Sequence, residues 1–61
     1  MIKTRRFRRP DGWDVIMRTN GDKVVYLSHL PMIVSAPPDP LTIEYVELAC
    51  QVHGYFEEFN E

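Results

Sequence analysis

The dipeptide Asn20-Gly21 constrains the fold of this chain more than any other feature. Asn-Gly between runs of alternating apolar residues is the strongest short-range signal for a two-residue type I′ hairpin. A second turn signal, Arg9-Pro10-Asp11-Gly12, lies eleven residues upstream. There Pro presets φ, Asp favours a type I turn, and Gly takes the left-handed position that follows. Strand-like runs flank both turns at about 2–9, 13–18 and 23–28, so the first half predicts a three-stranded antiparallel meander.

Register follows from the turns. A two-residue Asn-Gly loop sets Arg18 opposite Lys23, Met17 opposite Val24, Ile16 opposite Val25 and Val15 opposite Tyr26. A bulged Pro-Asp-Gly turn sets Arg8 opposite Asp14 and Phe7 opposite Val15. One face is then expected to carry Phe7, Trp13, Val15, Met17, Val24 and Tyr26, an aromatic surface that needs a cover. The other carries Arg6, Arg8, Asp14, Ile16, Arg18, Lys23, Val25 and Leu27.

The last third predicts that cover. Asp39 is positioned as N-cap and Pro40 at the first helical position, where its missing N–H costs nothing. Leu41, Tyr45, Leu48, Ala49, Val52, Phe56 and Phe59 then recur at helical spacing, against Glu44, Glu47, Gln51 and Glu58 on the other side. A helix over about 40–60 is expected, roughly 30 Å long. It would overhang strands of about 20 Å unless it breaks at Gly54. The segment 29–39 reads as a loop or a short edge strand, because Pro31 and Pro37-Pro38 fence its apolar residues. The expected fold is therefore one small α+β domain over 1–61: a three-stranded antiparallel β-meander packed on one face by a single C-terminal amphipathic helix.

Sixty-one residues allow one small core, and a single cysteine forbids an intramolecular disulfide. The longest run free of Asp, Glu, Lys, Arg and His, Leu30 to Pro38, is nine residues with three prolines, far short of the roughly 20 apolar residues of a spanning helix. The basic N-terminus is followed by no apolar run resembling a signal peptide, so a cytoplasmic location is expected. The small core and the helix overhang also point to a homodimer, with the overhang and Leu30–Val34 as seams.

Charge is polarised along the chain. Residues 1–23 hold all seven basic residues and three acids, for +4, while residues 24–61 hold six acids and no base, for −6, giving the total of −2. Internal neutralisation is the simplest reading, since surface pairs contribute only about 0–1 kcal/mol each. A second reading is DNA binding by the basic face through Arg6, Arg8, Arg18 and Lys23, because guanidinium groups suit phosphate and guanine. The order of three strands then a helix resembles the DNA-binding domains of plant ethylene-response factors and the arm-binding domains of some tyrosine recombinases. The resemblance implies a sheet inserted in the major groove; it lies in the pattern of elements, and no residue motif accompanies it.

The third reading is a protein partner. Tyr55, Phe56 and Phe59, interleaved with acidic Glu57 and Glu58 and backed by Glu44 and Glu47, offer aromatic anchors ringed by negative charge. An acidic helix end can occupy a basic groove built for nucleic acid, as a mimic. Small phage-encoded inhibitors act in this way. The function expected on this reading is that of a non-enzymatic regulator or inhibitor.

Catalytic and metal chemistry find little footing. Cys50 and His53 share a helix face and His29 would add a third ligand, but a structural zinc site takes four, with paired CxxC-type spacing. Cys50 is expected in the core. Ser28 and His29 are adjacent on a strand and point to opposite faces, and Glu57 and Glu58 diverge by about 100° on a helix. Gly12, Gly21 and Gly54 serve turns or the helix, so there is no phosphate loop. No cofactor, metal or catalytic group is expected.

Overall fold

A computed structural model describes residues 1–58. Four strands and one helix follow one another: β1 (Ile2–Arg8), β2 (Asp14–Asn20), β3 (Lys23–Leu27), α1 (Ile43–Val52) and β4 (Phe56–Glu58). The sheet is antiparallel, in the order β3-β2-β1-β4. The α+β class is as expected, with two corrections: the sheet has four strands rather than three, and the helix lies mid-chain rather than at the C-terminal end.

The first hairpin forms with the expected pairing, Arg8 opposite Asp14 and Phe7 opposite Val15. Its turn closes through Gly12 N–H to the Arg9 carbonyl at 2.9 Å, with Gly12 at φ 97°. The second hairpin forms in a different register. Asn20 pairs with Lys23, so Gly21 and Asp22 are the loop, and only Gly21 is left-handed (φ 65°). A type I′ turn on Asn20-Gly21 needs two left-handed residues; placing Gly first, as in type II′, spares Asn20 that cost.

This shift of two residues keeps Val24 on the face expected of it. A bulge then follows between Arg18 and Thr19, leaving Val25 as the extra residue. The bulge turns Tyr26 outward, opposite Arg18, and brings Leu27 inward, opposite Met17. Arg18 therefore does not face Lys23, and the like-charge pair implied by the simpler register does not exist.

Phe7, Val15 and Met17 of the sheet pack against Val46 and Cys50 of α1 and against Tyr55, with Val24, Leu27, Leu30, Leu41 and Ile43 around them. The stripe that α1 buries is thus Val46, Ala49 and Cys50, while Leu48 and Val52 stay exposed. The expected stripe was offset around the helix by roughly one residue step, about 100°.

Helix α1 is half the expected length because both its ends are set by local chemistry. At the start, Thr42 is the N-cap, its hydroxyl accepting from Tyr45 N–H at 3.2 Å. Asp39 and Pro40 lie outside the helix. At the finish, Gly54 adopts φ 82°, its N–H donates to the Gln51 carbonyl at 3.1 Å, and Tyr55 N–H donates to the Cys50 carbonyl at 2.8 Å. This is a Schellman ending, with its apolar contact between Tyr55 and Cys50 in the core. Ten residues give about 15 Å of helix, shorter than a seven-residue strand of about 23 Å. No overhang exists, so the overhang provides no seam for a dimer. Within Leu30–Val34, Leu30 packs on the core and Pro31 is buried, leaving Met32 and Val34 exposed.

Candidate functional site

The two charged poles of the sequence meet in the fold. After Gly54 the chain turns back and β4 adds to the edge of β1, pairing Phe56 with Arg8, Glu57 with Phe7 and Glu58 with Arg6. An acidic strand therefore lies beside the most basic one, with ion pairs on both faces.

On the helix side, Arg5 grips both oxygens of Glu57, at 2.7 and 2.8 Å, and reaches Glu47 on α1 at 2.8 Å. The Arg5 guanidinium also lies 5.2 Å from the Phe7 ring centre. The hydrogen bonds from Arg5 hold the Glu57 carboxyl below its usual range, against the opposing effect of burial. One arginine thus ties β1, β4 and α1 together around a fork-shaped, charge-assisted contact.

The opposite, outer face has no layer over it among the described residues. Arg6 meets Asp14 at 3.0 Å and approaches Glu58 at 4.0 Å, while Arg8 meets Glu58 at 3.3 Å. Arg18 lies 5.4 Å from the ring centre of Tyr26, its cross-strand neighbour. Tyr26 and Phe56 stand on this face, at the β3 and β4 edges, 48% and 55% exposed. Lys23 shares the face, because it pairs with Asn20. Among the described residues, four cations face two carboxylates here, an excess of positive charge that falls at Arg18 and Lys23.

The residues singled out from the sequence fall into separate places. Arg6, Arg8, Arg18 and Lys23 do share one face. Tyr55 is buried, Glu57 and Glu47 belong to Arg5, and Glu58 belongs to Arg6 and Arg8. Phe56 is exposed, Glu44 lies exposed in the first turn of α1, and Phe59 lies outside the described residues. The expected aromatic core face is corrected: Phe7 is in the core, but Trp13 is 65% exposed and Tyr26 points outward. For Tyr26 the cause is the bulge, which sets it opposite Arg18 on the outer side.

Comparison with protein-family models, characterised proteins and solved structures finds no match. Function therefore rests on geometry.

Among the described residues, no group of three His, Cys, Asp or Glu side chains is gathered in metal-binding geometry. Cys50 is in the core, where burial pushes its thiol up to about 11 despite the opposing pull of Arg5. A thiol so held is protonated at neutral pH and is a poor nucleophile. No helix among the described residues is long and apolar enough to cross a membrane.

Reading the sequence misses the exposure of Trp13 and Tyr26, and places the exposed Phe56 on a helix end rather than on a strand. For Phe56, the signal was available in Gly54-Tyr55. Glycine followed by a large apolar residue is a helix stop, after which Phe56 has the alternation of a strand.

Proposed function

We propose that this chain is a non-enzymatic binding protein, a small regulator or inhibitor acting through protein–protein contacts, and that the outer sheet face is its contact surface. The observation that carries the reading is the composition of that face. Its aromatics are exposed at both edges, and Arg6 and Arg8 already have their charge met by Asp14 and Glu58. Aromatic and arginine side chains with few free charges are what protein interfaces enrich. The cation excess at Arg18 and Lys23 suits a partner surface with an acidic rim. The mimic form of this reading, an acidic aromatic end in a basic groove, has less behind it. Its carboxylates Glu47, Glu57 and Glu58 are engaged within the molecule, and Tyr55 is in the core.

A second reading, DNA binding by the same face, is favoured by one observation: Arg18 and Lys23 are in no ion pair among the described residues.

The double variant Tyr26→Ser, Phe56→Ser tests the first reading, because both side chains are exposed and their loss leaves the core intact. Immobilised wild-type chain is expected to retain a partner protein from its native cell extract after nuclease treatment. The double variant should weaken that retention roughly 30-fold, the effect of losing a hot spot worth about 2 kcal/mol. Equal retention by the double variant, or retention only of material that nuclease destroys, would overturn it.

A further inference from the structure

A groove unrelated to the outer face opens at the end of the molecule where the first hairpin turns. Its volume is about 350 Å³, within the range of small binding sites. Three segments build it: the Arg9–Trp13 turn, the start of the connection after β3, and the Schellman end of α1. Trp13, Pro31, Met32 and Tyr55 form its apolar walls, with Trp13 and Met32 65% and 76% exposed. Arg9 lies 5.1 Å from the Tyr55 ring centre, forming one edge. His29 and His53 complete the rim.

Donors predominate on the lining. Arg9 and the Trp13 indole can only donate, while the His29 ring and the Tyr55 hydroxyl can donate or accept. His53 Nε2 donates to the Met32 carbonyl, which fixes that wall rather than offering the proton to a ligand. Among the described residues, no carboxylate lines the groove. Its charge is nevertheless balanced, because Arg9 is held by Asp11 at 2.7 Å. An occupant should therefore be uncharged, rich in acceptors, and rigid enough to fill an aromatic-walled trough.

We propose that this groove binds a proline-rich, extended segment of a partner protein. A polyproline II chain matches each requirement. It carries backbone carbonyls with no N–H at its prolines, it has no charge, and it arrives with little conformational entropy left to lose. Aromatic-walled grooves are the general means of capturing such chains. A phosphate or a nucleic acid fits less well, since Asp11 already neutralises the one permanent cation at the site.

Trp13 is the sole tryptophan, so its emission reports occupancy directly. Titrating the full chain with a blocked decaproline peptide should give a saturable shift, with a Kd of roughly 0.1–1 mM. A blocked Gly-Ser decamer should give none. Met32→Asp, at an exposed position, puts a carboxylate against the peptide carbonyls and should weaken binding about tenfold or more. Tyr26→Ser, on the outer face, should leave it unchanged.

No saturable response up to about 5 mM decaproline, an equal response to Gly-Ser, or unchanged affinity in Met32→Asp overturns the proposal. So does displacement of decaproline by inorganic phosphate, which would mark an anion site. Self-association that Pro37→Ala, Pro38→Ala abolishes would give the groove to a second copy and overturn it equally.

Discussion

Met17→Ala should destabilise the domain by about 2–5 kcal/mol, the range for emptying a fully buried methionine site. Met17 has no exposure, and it sits on the central pair of strands between Val15 and the inward-turned Leu27. A domain of this length has about 3–9 kcal/mol of stability in total. The variant should therefore lose about half of its stability, with a urea midpoint well below that of the wild type. Leu48→Ala provides the contrast. On the expected helical stripe Leu48 would be core, but it is about half exposed, and its loss should cost under about 1 kcal/mol. Chemical denaturation of the two variants side by side distinguishes the stripe that is buried from the one the spacing suggested.

The second large effect should come from Arg5→Met. Removing the guanidinium leaves Glu57 partly buried without its partner and frees Glu47 as well. Breaking a fully buried pair from one side costs about 3–5 kcal/mol; with side chains still about a fifth exposed, about 2 kcal/mol at pH 7 is the expected loss. The effect should depend on pH with a definite sign. In the wild type the folded-state pKa of Glu57 is depressed, so its contribution is present above the unfolded value near 4.5. That contribution is lost as pH falls through the folded value. In Arg5→Met the lowering influence is gone and burial alone remains, which raises the pKa and makes protonation favourable to folding. The stability gap between the two proteins should therefore be widest above pH 6 and shrink steadily below 4.5. Urea midpoints measured from pH 3 to pH 7 check this. A gap that stayed constant, or widened in acid, would mean that Arg5 acts through packing on Phe7 rather than through charge.

These residues also show where sequence reading succeeds and where it stops. The first hairpin was legible because Pro10, Asp11 and Gly12 fix its turn type, and turn type fixes register. The second was legible as a hairpin but not in register. Asn20-Gly21 and Gly21-Asp22 are both acceptable loops, and the bulge at Val25 is decided by Leu27 taking the core position opposite Met17. That competition is tertiary and leaves no mark in the local pattern. The helix is hard to read at both ends for a different reason. Apolar spacing through Phe56 and Phe59 outweighed two local signals, the Thr42 cap and the glycine stop at Gly54. Strand β4 is three residues long and pairs with a segment some fifty residues away, so propensity alone does not reveal it. Beyond the helix stop at Gly54-Tyr55, its trace in the sequence is the charge polarity, with Glu57 and Glu58 at one end and Arg5, Arg6 and Arg8 at the other.

The candidate surface was partly legible in the same way. Alternation placed Arg6, Arg8 and Arg18 on one face correctly. It could not show that β4 would bring Glu58 onto that face and Phe56 to its edge. Those two residues change a basic strip into a mixed, aromatic-edged surface, and the functional reading turns on them.

The most direct test of that reading is fluorescence anisotropy of a labelled DNA duplex titrated with the protein, repeated at rising salt. With Arg6 and Arg8 answered by Asp14 and Glu58, binding should be no tighter than the roughly 10⁻⁴ M of weak non-specific association, even at low salt. Micromolar binding that falls steeply with salt, and that is lost in Arg18→Glu, Lys23→Glu, would contradict it and make the outer face a nucleic-acid surface.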